Sequence, residues 1–241
     1  MMRLPAPLIA KLLQSRIARF FRSAPARSLI QCVEPAEILH PGSAAPVSHD
    51  KMQSITESTA PVIWIGGSEP LDHPGIAHFV RAIAQGGHYV FLETGGTPLR
   101  RRIHEFEPLP RLFLTVWLDA PQARESALAV EGLRAARLSG FFTVVHSKVR
   151  SVSDIAELKN LRVFLGEKDV DGWLITTASE DHVVAGIAAE ARSLIPTASW
   201  RRFSELVEQE LLLQAKGRES YGTSLANKPP AESCEESIRV A

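Results

Sequence analysis

Six short runs of apolar, β-branched and aromatic residues, separated by stretches of helical periodicity, constrain this chain more than any other feature. The runs cover 28–33, 62–65, 89–92, 112–118, 141–145 and 173–176. Strands that are apolar on both faces, with helices between them, imply a parallel sheet buried on both sides. The helical stretches carry their own signals. One follows Pro74, repeats Ile76, Phe79, Val80 and Ile83 on one stripe, and stops at Gly86 and Gly87; proline suits a first turn and glycine a last one. Others span 122–138 and 182–194, and a further one starts near Ser153 with Ile155, Leu158, Leu161 and Leu165 inward. Phe203, Leu206, Val207 and Leu211 support one more. Six repeats fit an open doubly wound sheet or an incomplete barrel, and periodicity does not choose between them. In either, ligands gather at the carboxyl ends of the strands.

The two ends of the chain read differently. Before Glu34 there are six basic residues, Arg3, Lys11, Arg16, Arg19, Arg22 and Arg27, and no acidic one. Ile9, Leu13, Ile17 and Phe20 recur at helical spacing, with Lys11, Arg19 and Arg22 opposite, so residues 8–22 form a basic amphipathic helix. Such a helix either caps the bottom of a barrel or lies on an anionic membrane surface. From residue 216 the sequence turns rich in Ser, Gly, Pro and Glu, which reads as a disordered tail. The expected division is a helix at 1–25, the α/β unit at 26–215 and the tail at 216–241.

Lys plus Arg and Asp plus Glu number 27 each, so no global field recruits nucleic acid. The two cysteines, Cys32 and Cys234, match no metal spacing or disulfide framework and fit a reducing, cytoplasmic compartment. No apolar run approaches the roughly 20 residues of a membrane-spanning helix.

The loops after the runs hold the candidate chemistry. After the second come Gly66, Gly67, Ser68, Glu69, Pro70 and Leu71, in which glycines let the backbone approach a ligand and Glu69 offers a carboxylate. The competing reading is a sharp turn into the helix at Pro74. Glu93, Thr94, Gly95 and Gly96 follow the third run, and Asp119 follows the fourth, where a side chain would face the mouth. His146 ends the fifth and reads as a core or rim residue. Glu180, Asp181 and His182 follow the sixth, where acid-base work competes with favourable charge at a helix start.

Together these pieces resemble the radical S-adenosylmethionine superfamily. The segment 65–74, Ile-Gly-Gly-Ser-Glu-Pro-Leu-Asp-His-Pro, is similar to that family's Gly-Gly-Glu-Pro stretch. The segment 89–96 resembles its third strand and Thr-Asn-Gly loop, 112–119 its fourth strand ending in aspartate, and Val170-Asp171-Gly172 the start of its sixth. The resemblance runs from about 26 to 195 and is nearest the branch of the hopanoid-pathway adenosyl transferase, on the strength of Glu34-Pro35 after the first run. It implies a partial (βα)6 barrel of the TIM type, S-adenosylmethionine as ligand, and a four-iron, four-sulfur cluster held by a Cys-x3-Cys-x2-Cys loop.

That loop is where the chain departs. Counting on from Glu34-Pro35 puts the three ligand positions at Leu39, Ser43 and Pro46, none of which is a thiol. Cys32 lies ahead of the loop, and His40 and His49 are the nearest supplementary donors, against ligand sets dominated by cysteine. Ser68 and Gly95 also replace family residues. The resemblance therefore implies a cluster-less member of the fold, a pseudoenzyme without radical activity of its own. Its ligand would meet Gly67, Ser68, Glu69 and Pro70, with Thr94 and Asp119 nearby. Two rivals stand: an active radical enzyme with an atypical or borrowed cluster, and a non-catalytic subunit that engages a membrane surface or a protein through residues 8–22.

Overall fold

The computed structural model describes residues 2–21, 28–34, 49–120, 124–177 and 182–226. Six strands form one sheet: β1 (Ile30–Val33), β2 (Val62–Ile65), β3 (Tyr89–Thr94), β4 (Leu112–Trp117), β5 (Phe142–Val149) and β6 (Gly172–Thr177). All neighbours are parallel and the order is sequential, β1 to β6, so the chain winds in one direction without reversal. A sequential parallel sheet curls into a half-barrel, which decides between the two architectures left open by the sequence. The helices are α1 (Ala6–Phe21), α2 (His49–Thr56), α3 (Ile76–Gln85), α4 (Leu99–Arg102), α5 (Ala127–Leu138), α6 (Asp154–Lys168), α7 (His182–Arg192) and α8 (Ala198–Ala226). Helix α2 has no counterpart in the periodicity. Helix α8 continues into the segment expected to be a disordered tail.

Alternate strand positions build the barrel interior in layers. Trp64, Phe91, Phe113 and Phe142 stack side by side, with centroids 5.6, 4.6 and 5.4 Å apart, and Phe203 of α8 closes on Phe91 at 5.1 Å. Two residues nearer the carboxyl ends the same faces carry Glu93 and Thr115, and His146 lies four residues beyond Phe142, all three buried.

A half-barrel leaves two strand edges with unpaired backbone groups. Helix α8 covers both. The Ser204 hydroxyl accepts from the Ile175 amide at 2.9 Å and donates to the Ile175 carbonyl at 2.6 Å, and Glu208 accepts from the Thr177 amide at 2.8 Å. On the far edge Glu210 accepts from the Leu29 amide at 3.1 Å and from the Ser28 hydroxyl. Trp200 of the same helix lies against Gly172, where an added Cβ would run into the indole ring.

Helix α1 packs beneath the barrel at the amino ends of the strands. Its Leu8 and Leu12, with Met2 and Leu4 ahead of it, belong to the same hydrophobic core as the sheet. The expected apolar stripe is corrected here: Leu13 and Ile17 are 52% and 57% exposed. The buried stripe is the neighbouring one, about 100° round the helix from it. Lys11 is corrected too, since its ammonium donates to the Gly87 carbonyl at 2.6 Å instead of facing away from the barrel. Burial, and secondarily the charge of Arg111, pull its pKa below the usual lysine value. Among the described residues no helix is long and apolar enough to cross a membrane.

Candidate functional site

The carboxyl ends of the strands converge on a cavity of about 260 Å³, close to the lower end for small-molecule pockets. Its wall draws on all six strands and on α8, through Cys32, Trp64, Glu93, Trp117, His146 and Thr176 among others. The sequence explains the inward arrangement: Trp117 and His146 are register partners on β4 and β5, and inward positions repeat every second residue.

A continuous polar network forms the inner wall. The Trp64 indole N–H donates to Glu93 Oε2 at 3.2 Å. Glu93 Oε1 lies 2.6 Å from His146 Nδ1, and His146 Nε2 lies 2.8 Å from Thr176 Oγ1. Four strands thus each contribute one member. Glu93 is 7% exposed and His146 wholly buried, so each is the other's principal compensation for leaving water. Trp117 stacks on the imidazole, centroids 4.1 Å apart at 21°, and the Lys148 ammonium sits 4.1 Å from the centre of that indole ring. Among the described residues no carboxylate pairs with Lys148.

The Gly66–Pro70 loop forms the rim. Gly67 has φ +103° and lies against Glu34, whose carboxyl carbon would be 3.0 Å from an added Cβ. A side chain is excluded there by both conformation and space. Gly66 is equally close to the network, for an added Cβ would meet Glu93 Oε2 at 2.5 Å. Glu69 caps a short 3₁₀ turn at Pro70–Asp72 by accepting from the Leu71 amide at 3.1 Å. The same carboxylate accepts from Thr94 Oγ1 at 2.8 Å and from the Gly95 amide at 2.8 Å. A carboxylate has about four acceptor positions, so one on Oε2 is left by these three donors. Arg102 clamps the turn by donating to the carbonyls of Leu71 and His73.

The expected site residues therefore separate into groups. Glu69 and Thr94 are brought together, Pro70 is buried at the start of the turn, and Ser68 is exposed on the rim. Gly67 alone of the six lines the cavity. Asp119 lies apart from it, accepting from the Lys148 amide at 3.0 Å and pairing with Arg150 at 2.7 Å. The positions Leu39, Ser43 and Pro46, with His40, Glu180 and Asp181, lie outside the described residues. Sequence reading placed Glu93 in a loop, whereas β3 runs two residues further and buries it. His146 is the core residue it was read to be. The signal that would have joined it to Glu93 is that both occupy inward positions near the carboxyl ends of β3 and β5, the strands either side of β4.

As donors to an iron–sulfur cluster these residues fall short. Among the described residues Cys32 is the one thiol at the cavity, and no group of three His, Cys, Asp or Glu side chains is placed to hold a metal ion.

No protein-family model matches the chain, and no curated protein sequence matches it. Solved structures do. SuiB from Streptococcus suis bound to its precursor peptide SuiA superimposes with a TM-score of 0.52 at 14% identity, over 78% of this chain and 47% of that one. SuiB bound to S-adenosylmethionine gives 0.49 at 12% identity, over 73% and 43%. QueE from Escherichia coli gives 0.39 at 20% identity, over 66% and 68%. The chain spans less than half the length of the SuiB structures it matches. These neighbours are radical S-adenosylmethionine enzymes, and the peptide-bound SuiB match carries the likeness at the level of fold.

Proposed function

We propose that this chain is a radical S-adenosylmethionine fold without its iron–sulfur chemistry, which retains the mouth of the barrel as a binding site for S-adenosylmethionine or a related small molecule. The observation that carries the reading is a contrast within one site. The whole chain has two cysteines, and the three positions that match the family's cluster loop hold Leu39, Ser43 and Pro46. A four-iron cluster needs several thiolates, so the donor set does not fit and no radical step is derived for this chain. What supports the binding half of the reading is the Gly66–Pro70 loop, with Gly67 at positive φ and Glu69 tied to Thr94 and Gly95.

In this reading the remaining acceptor position of Glu69 takes the amino group of the ligand, and the glycine backbone admits it closely. Gly67, Ser68, Pro70 and Thr94 shape the loop around that contact. Asp119, paired with Arg150, acts on the rim through β5 instead of touching the ligand. That a SuiB structure of similar fold is bound to a precursor peptide supports an organic ligand for this chain.

The test is anaerobic reconstitution with iron and sulfide, followed by absorbance spectroscopy and calorimetric titration with S-adenosylmethionine. Colourless protein that binds the compound, with binding weakened at least tenfold by Glu69→Ala, is the expected result; loss of one hydrogen bond to a charged group removes about 1.5–3 kcal/mol. Brown protein with about four irons per chain overturns the cluster-less reading. Colourless protein indifferent to the compound overturns the binding reading.

A further inference from the structure

Helix α1 carries Lys11, Arg16 and Arg19 and no acidic residue, and no acidic residue precedes it. Packing under the barrel consumes one stripe, Leu8 and Leu12, together with Lys11. What the fold leaves over is a second apolar stripe. Leu13 and Ile17, one turn apart, stand more than half exposed, and among the described residues nothing covers them.

Beside them runs a groove of about 340 Å³ between α1 and the start of α8. Leu4, Ile9, Leu12, Phe203 and Leu206 wall it, and Arg16 and Arg202 are both exposed at its rim. Neither arginine has an ion-pair partner among the described residues. The groove is almost wholly apolar inside and cationic at the edge, with the two charges contributed by different helices. That is the charge pattern of a surface that meets acyl chains with its floor and anionic headgroups with its rim.

We infer that the barrel floor docks on a membrane bearing anionic lipids, with Leu13 and Ile17 inserted at the interface and Arg16 and Arg202 on the headgroups. The geometry agrees with a working orientation. Lys11 bonds to Gly87 just ahead of β3, so the docking face lies at the amino ends of the strands, opposite the cavity. Docking therefore leaves the mouth open to solvent, and the inference stands or falls independently of what the mouth binds.

The experiment is co-sedimentation of the full chain with vesicles of phosphatidylcholine alone and of phosphatidylcholine with phosphatidylserine, at low and high salt. Retention on the serine-lipid vesicles that falls as salt rises, with little on the neutral ones, is the expected result. Each cation near such a surface is worth about 1 kcal/mol, so Arg16→Gln with Arg202→Gln lowers partitioning about 30-fold. Leu13→Ser with Ile17→Ser abolishes it; both sites are exposed, and circular dichroism checks that the variants fold. Equal retention on both vesicle types, no retention, or variants that partition like wild type each overturn the inference. So does a lipid-free self-association, seen by sedimentation velocity and lost in the Leu13→Ser/Ile17→Ser chain, when the vesicles retain nothing, because the face is then a protein interface.

Discussion

Replacing His146 by leucine tests whether the barrel interior rests on its polar network. The imidazole contacts Glu93 at 2.6 Å and Thr176 at 2.8 Å, and leucine keeps most of the apolar volume under Trp117 while offering neither bond. Glu93 is then left, 7% exposed, with the single donor of Trp64. Breaking a buried pair by removing one partner costs about 3–5 kcal/mol. Against a total stability of about 5–15 kcal/mol this is a large share, and it lowers the melting temperature by about 10 °C in a domain of this size. Glu93→Gln keeps the shape and costs about 1–2 kcal/mol. The doubly substituted chain removes the stranded acid, so its loss falls short of the sum of the two by about 2 kcal/mol. Urea unfolding of the four proteins at neutral pH reads all three numbers. A loss below about 1 kcal/mol for His146→Leu, on the same scale, or strict additivity in the cycle, refutes the claim that the two side chains compensate each other's burial.

Three further outcomes are expected. Ser204→Ala strands the Ile175 amide and carbonyl at the β6 edge and costs about 1–3 kcal/mol by denaturant unfolding; a neutral result would mean that α8 does not seal that edge. Gly172→Ala drives a methyl into the Trp200 ring and costs about 1–3 kcal/mol, with a matching change in near-ultraviolet circular dichroism as the indole moves. The hydrogen bond from Arg102, reinforced by its charge and opposed by burial, holds the Glu105 carboxyl below its usual 4.5. A depressed folded-state pKa contributes stability above the unfolded value and loses it as pH falls through the folded one. Melting temperatures should therefore drop more steeply below pH 4.5 in wild type than in Glu105→Gln, and parallel curves would refute the pairing.

Local physics made most of the sheet legible. The run at 62–65 coincides with β2, and Pro74 with Gly86 brackets α3 closely, because burial on both faces and helix punctuation leave marks in adjacent residues. Two things were hidden. A stripe at Ile9, Leu13 and Ile17 looks as apolar as one at Leu8 and Leu12, and only the barrel floor decides which is buried. Glu93, read from its neighbours, belongs in a loop; its burial is stabilised by Trp64 and His146, 29 and 53 residues away. Within the candidate site, the Glu69–Thr94 contact follows from two strand ends that are adjacent in the sheet, and this much the motif spacing conveyed. The separation of Asp119 did not show, since its partner is Arg150.

The closing helix shows why the site's dimensions are a tertiary property. Ser204, Glu208 and Glu210 look like the polar positions of any amphipathic helix, yet they satisfy backbone groups 29, 31 and 181 residues away. Because the bonds from Glu208 and Glu210 go to opposite edges of the sheet, they fix α8 across the gap that a complete barrel would fill with further strands. Leu211 and Leu212, the next residues along, are thereby held against the cavity opposite Trp64 and Glu93. The volume available to a ligand is thus set by the same contacts that keep the sheet edges from pairing with other chains. Substitutions that widen the cavity from the α8 side must therefore loosen an edge, whereas those on the Gly66–Pro70 rim need not. On that rim Ser68, exposed and outside the close contacts that hold Gly66 and Gly67, is the position free to change ligand at little cost in stability.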